Sequence, residues 1–209
     1  MFIRILRGRV VDGVAVRGEL RRWSDELGPG LPGWQRLTGG VTDDGELVAV
    51  FRFDGEAAAR SSGERSEQLA WQQSVERHLV GRPSWDDCPV VHMAKGGDAE
   101  DAGFVRVLHG RLADPVRLAA MRDEVERTLR ERAPHVLGVT FAEHADEVGS
   151  FTEITYCTSE REALAAERQM PVEVAVQLGT VRSYMEGLTL MELRDPLLLG
   201  PARPALPVS

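Results

Sequence analysis

Asparagine is absent from this chain of 209 residues, and Lys95 is its one lysine. The remaining basic side chains are arginines, which reads as a GC-rich coding bias rather than as guanidinium chemistry. Cysteine is scarce as well. Cys88 and Cys157 have no C-x-x-C neighbour, which excludes a disulfide framework and a thiolate metal knot and leaves two free thiols suited to a reducing cytoplasm. No apolar run reaches membrane-spanning length, and Phe2–Leu6 is too short, and too interrupted by Arg4, for a signal peptide. A cytoplasmic protein without membrane contact is therefore expected. A basic stripe is missing too: the net charge is −8 and spread along the chain, so nucleic acid and anionic lipid are not expected partners.

The sequence also lacks the short motifs that announce common chemistries. Gly39-Gly40 and Gly96-Gly97 are bare glycine pairs without the following Lys-Ser/Thr of a phosphate loop. No G-x-S-x-G elbow is present. His135 and His144 flank a predicted strand with no third donor converging on them. Neither a metal nor a cofactor is expected.

What the chain does have is a repeat. Phe2-Ile3-Arg4-Ile5-Leu6-Arg7-Gly8-Arg9-Val10-Val11-Asp12 returns as Phe104-Val105-Arg106-Val107-Leu108-His109-Gly110-Arg111-Leu112-Ala113-Asp114. Two copies of one folding unit are implied, packing as a built-in dimer. Apolar residues make up 43% of the chain, enough for a core without staples. Each copy opens with an apolar strand, then an N-cap aspartate (Asp12, Asp114) and a helical stripe: Val16, Leu20, Trp23 and Leu27, matched by Leu118, Met121, Val125 and Leu129. A second strand follows (Trp34–Thr42; Val136–Glu143), a turn, a third strand (Glu46–Phe53; Ser150–Tyr156) and a helical stretch (Gly55 to about Gly81, interrupted near Ser61-Ser62-Gly63; Ser159 to about Met185). Pro89–Ala94 and Leu188–Leu193 are read as the closing strands. The order β-α-β-β-α-β, twice, predicts an α+β fold of tandem ferredoxin-like units. The third strand of copy one, Leu47–Phe53, is apolar nearly throughout, as a strand buried on both faces would be. The predicted domains are 1–95 and 104–194, with a linker at 96–103 and a proline-rich tail at 195–209 that cannot be helix or central strand.

Gly33-Trp34, Gly45, Phe51-Arg52-Phe53 and the helix start Ala57-Ala58-Ala59-Arg60 carry a family likeness, as does Ser62-Gly63-Glu64-Arg65-Ser66-Glu67-Gln68 leading to Trp71. With the repeated order, these residues resemble the dimeric α+β barrel superfamily, in its antibiotic-biosynthesis-monooxygenase-like branch, as a tandem fusion of an actinobacterial type. The resemblance implies units packed sheet to sheet as a pseudo-dimeric α+β barrel, a further homodimer being left open. It also implies a pocket between sheet and helices that takes a small hydrophobic or aromatic molecule. Members include cofactor-independent monooxygenases acting on phenolic or quinol-type compounds, and if this chain is an enzyme that is the expected kind. Fold does not decide function. A non-catalytic ligand-sensing or structural barrel remains open, as does a haem-binding or haem-degrading protein. The monooxygenase and haem-degrading branches use an asparagine, which this chain cannot supply.

Candidate residues gather mainly in copy one, which holds Trp23, Trp34, Trp71 and Trp85. Trp34 and Trp71 are read as the aromatic wall of a pocket, with Trp71 and His92 as the catalytic pair and His92 as the base. His78 shares a helical face with Trp71 and Val75, and offers either a pocket contact or a solvent-edge histidine. In copy two, His109 and Tyr156 are read as a second set of pocket-lining residues. Arg4 and Arg106 are matched mid-strand arginines, for which Glu153 is the expected carboxylate partner.

Overall fold

The computed structural model describes residues 1–97 and 99–201. It divides into two compact units, Met1–Trp85 with the chain from Leu197, and Asp86–Pro196.

In unit one, β1 (Phe2–Arg9) leads into α1 (Gly13–Arg22), β2 (Trp34–Val41), β3 (Glu46–Phe53), α2 (Glu56–Gly63), α3 (Ser66–Glu76) and β4 (Ser84–Cys88). Asp12 caps α1, its carboxylate accepting from the Ala15 amide at 3.0 Å. The helix continues as a wide turn over Trp23–Leu27, which brings Trp23 onto the sheet. Strand β3 is central, antiparallel to β1 and β2, and every residue after Glu46 is buried, as its unbroken apolar sequence predicts. Here the core is aromatic. Trp23 meets Trp34 and Phe51 edge-on, with ring centroids 5.2 and 4.7 Å apart, and Phe51 meets Trp71 at 5.8 Å. Gly28 is required by this packing, since a Cβ there would lie 2.5 Å from the Trp34 ring.

Unit two comprises β5 (Val90–Ala94), β6 (Phe104–Leu112), α4 (Pro115–Arg132), β7 (Val136–Glu143), β8 (Ser150–Cys157), α5 (Glu160–Arg168), α6 (Val172–Arg182) and β9 (Met185–Leu193). Asp114 caps α4 and Pro115 occupies its first turn. The short strand β10 (Leu197–Leu199) returns to unit one and pairs with β2. The sheet orders are β10-β2-β3-β1-β4 and β5-β7-β8-β6-β9, the same arrangement twice. The fold is α+β, built of two ferredoxin-like units.

Three expectations need correction. Val90–Ala94 does not close unit one: β4 does, and β5 pairs with β7 of the other sheet. Pro89 has no N–H to extend the ladder, so the chain leaves the first sheet there. The unit boundary accordingly falls at Trp85, not at residue 95. The later helical stretch is two helices, divided at Met170-Pro171, where proline cannot continue a helix, while the earlier one breaks after Gly63, as expected. Asp98 of the expected linker and residues 202–209 of the expected tail lie outside the described residues. Among the described residues, no helix is long and apolar enough to cross a membrane.

Candidate functional site

The matched registers show what differs between the two interiors. Arg4 pairs with Phe51 where its counterpart Arg106 pairs with Thr155, and Leu6 pairs with Ala49 where Leu108 pairs with Glu153. On the second strands, Trp34 opposes Phe53 and Val136 opposes Cys157. Counting from the capping aspartates, Trp23 and Val125 occupy one helical position. The exits of α3 and α6 also correspond, since the His78 carbonyl accepts from the Val11 amide and the Tyr184 carbonyl from the Ala113 amide, both at 2.8 Å. Counting back along those helices puts Trp71 and Gln177 at the same place. Four rings of unit one, Trp23, Trp34, Phe51 and Trp71, are thus replaced in unit two by Val125, Val136, Thr155 and Gln177.

Removing four rings leaves space. Unit two holds two adjoining cavities between its sheet and helices, of about 110 and 210 Å³, which share Val125, Leu129 and Glu153. All four replacing residues line the larger one. In α6 the lining positions Val174, Gln177, Leu178, Val181 and Arg182 recur at helical spacing and make one inward face. The roof is thin: α4 has no fully buried residue, whereas Val16, Leu20 and Trp23 of unit one are 0–1% exposed.

Glu153 sits on the floor, where unit one has Ala49. The residue is half-buried and borders both cavities. Burial among apolar walls pushes its pKa up; a hydrogen bond from the Thr155 hydroxyl and the positive charge of Arg182 oppose the shift without cancelling it. A carboxyl whose pKa is raised in this way beside a cavity is a candidate for taking up and returning a proton. Gln177 faces the larger cavity from the roof. Thr128 donates to its Oε1 at 2.8 Å, joining α4 to α6, and its buried Nε2 has no hydrogen-bond partner. A buried donor left unpaired costs about 1–3 kcal/mol.

The residues singled out from sequence are dispersed. Trp34 and Trp71 pack into the interior of unit one: Trp71 is 1% exposed and its indole donates to the Glu19 carbonyl at 2.9 Å. Between Leu6, Trp71, Val75 and Trp85 no room for a water remains. A cleft of about 330 Å³ lies on the flank of this cluster, where Leu27, Ala70 and Trp71 meet Arg22, Glu26, Glu67 and Arg77. Neither Trp34 nor His92 reaches it. His78 lies beyond α3, in the turn that meets Val11, and so shares no helical face with Trp71. His109 and Tyr156 alternate with Leu108 and Thr155 and occupy the sheet face opposite the cavities. There His109 stacks on His144, with ring centroids 5.2 Å apart.

His92 reaches a cavity by an unforeseen route. Carried on β5 into unit two, it lines the smaller one, 3.8 Å from Glu143. Burial lowers its pKa, Arg122 lowers it further, and Glu143 opposes both, so the imidazole is neutral at neutral pH. The expected Arg106–Glu153 pair does not form. Arg106 is bound by Glu167 and, at 3.1 Å, by Glu192, which leaves Glu153 to the cavity. Arg4 donates instead to the Ala59 carbonyl at 3.3 Å. Gln177 was missed by sequence reasoning, although setting the two helix exits side by side exposes the exchange of tryptophan for glutamine.

No cluster of three or more metal-ligating side chains occurs among the described residues. No protein-family model and no curated protein sequence matches the chain. Solved structures do match its fold. A candidate monooxygenase from Fusobacterium nucleatum subsp. nucleatum superposes with a TM-score of 0.75 at 10% identity, covering 96% of this chain and 94% of that one. An anthrone oxidase-like protein gives 0.65 at 12% identity, covering 98% and 96%. A haem-degrading enzyme from Listeria monocytogenes gives 0.53 at 11% identity, covering 96% and 100%. At such identities the likeness is one of architecture: this chain shares the ferredoxin-like α+β fold of antibiotic-biosynthesis-monooxygenase-like proteins.

Proposed function

We propose that the protein binds a small, flat, largely apolar molecule in the unit-two cavities and oxidises it with molecular oxygen, as a cofactor-independent monooxygenase acting on phenolic or quinol-type compounds. One observation carries the reading: at matched positions an aromatic plug has become a cavity with a single carboxyl, Glu153, on its floor. The space has the lining of an aromatic guest and lies beside a proton acceptor. In the reaction Glu153 takes an acidic C–H or O–H proton, and the substrate anion gives its electrons to oxygen. The resulting hydroperoxide loses water and leaves a new carbonyl on the substrate. The proton that Glu153 took returns to the peroxide, and the oxygen of the new carbonyl and that of the water are the two atoms of the one oxygen molecule. His135, in the wall of the same cavity, and His92, on the adjoining one, are further groups able to carry a proton.

Oxygen uptake with an anthrone-type substrate tests the proposal. Uptake is expected, falling about 100-fold or more in Glu153→Gln while the substrate still binds. Saturable binding without uptake would reduce the protein to a ligand-binding one, and absence of binding would end both readings.

A further inference from the structure

Gln177 is placed to read the chemistry of the guest. Its side chain lines the larger cavity, whose floor carries Glu153, and its Nε2 is buried and unpartnered. Thr128 holds the other end of the amide by donating to Oε1 at 2.8 Å, which keeps Nε2 as the atom left to donate. The neighbouring roof residues Val125, Leu129, Val174 and Leu178 are apolar and bring no acceptor of their own. At the matched position of unit one, Trp71 has its indole N–H satisfied by the Glu19 carbonyl. The second unit therefore differs in two ways at once: the ring is gone, and a donor is left open.

We infer that Gln177 is a specificity-determining residue, and that the cavity selects molecules with a carbonyl oxygen on one edge and an acidic hydrogen on the other. This rests on the reading of the unit-two cavity as a binding site. The carbonyl accepts from Gln177 Nε2 and the acidic hydrogen faces Glu153. A guest of the same shape without the carbonyl leaves the amide unpaired, and sites with buried polar groups discriminate on that basis.

The test compares two compounds of one skeleton, 6-hydroxy-1-tetralone and 5,6,7,8-tetrahydro-2-naphthol, by calorimetric titration of the full chain. The ketone is expected to bind about tenfold or more tighter than the deoxygenated compound. In Gln177→Met, which keeps length and loses the donor, that ratio falls to about twofold or less through loss of ketone affinity. Gln177→Glu keeps the Thr128 contact while replacing the donor by an acceptor, so it loses the ratio too and guards against a fold defect in the methionine variant. A ratio unchanged in both variants overturns the role of Gln177 while leaving the cavity as a binding site. Failure of both compounds to bind the natural protein overturns the inference together with the site.

Discussion

Glu153 sets the behaviour of the site at the residue scale, and its sign can be worked out. Below its ordinary value of 4.5 it is protonated in folded and unfolded chain alike. As pH rises, the unfolded chain releases the proton first, which favours unfolding, and stability is lost until the raised folded-state value has been passed. Glu153→Gln removes that loss. The variant should gain stability over the natural protein as pH rises from 4.5 toward the raised folded-state value and no further beyond it, as followed by thermal melts across the range. A constant difference would show that the carboxyl is not held in its neutral form. Oxygen uptake by the natural protein should rise over the same interval, as the carboxylate forms. Cys157 gives a separate check on the cavity floor. Burial pushes its thiol up to about 11, an effect the nearby Arg106 only partly opposes, so it should resist alkylation at pH 8 in the folded chain and react on unfolding.

Among the elements, α1 and α4 carry matching stripes, yet they are seated differently. Leu20 of α1 is fully enclosed, while α4 lies over a cavity with every side chain at least partly exposed. Leu20→Ala should cost about 2–5 kcal/mol in urea unfolding, and Leu118→Ala below about 1.5 kcal/mol. Hydrogen exchange in α4 should be faster than in α1 and should slow when ligand is bound. Equal protection of the two helices would mean that the second interior is as tightly filled as the first. The element order, both N-caps and both stripes were legible because they are local: a carboxylate three residues from an amide and apolar residues at helical spacing depend on nothing distant. The contrast in burial was not legible, since Leu118, Val125 and Leu129 read like any core stripe until the residues facing them are known.

For the whole molecule, the short strands β5 and β10 decide which residues meet. Deleting residues 197–209 removes Leu197, 6% exposed in the core of unit one, and bares the edge of β2. Loss of that buried leucine should cost unit one about 2–3 kcal/mol and promote association through the open edge. Ligand binding in unit two should persist. Undiminished stability of the truncated chain would show that the pairing contributes nothing.

The sequence by itself determined the duplication, the β-α-β-β-α-β order and the burial of β3, because repeats, caps and periodicity are written in neighbouring residues. Only the tertiary structure decided which unit keeps an open interior. His92 reaches its cavity because Pro89 releases the chain from the first sheet and β5 joins the second. Glu153 is left to a cavity because Arg106 finds Glu167 and Glu192 first. Strand pairing and cavity volume are sums over contacts between distant segments. Trp23, Trp34, Phe51 and Trp71 are therefore the reason the interior of unit one is closed, and their replacement is what opens the other.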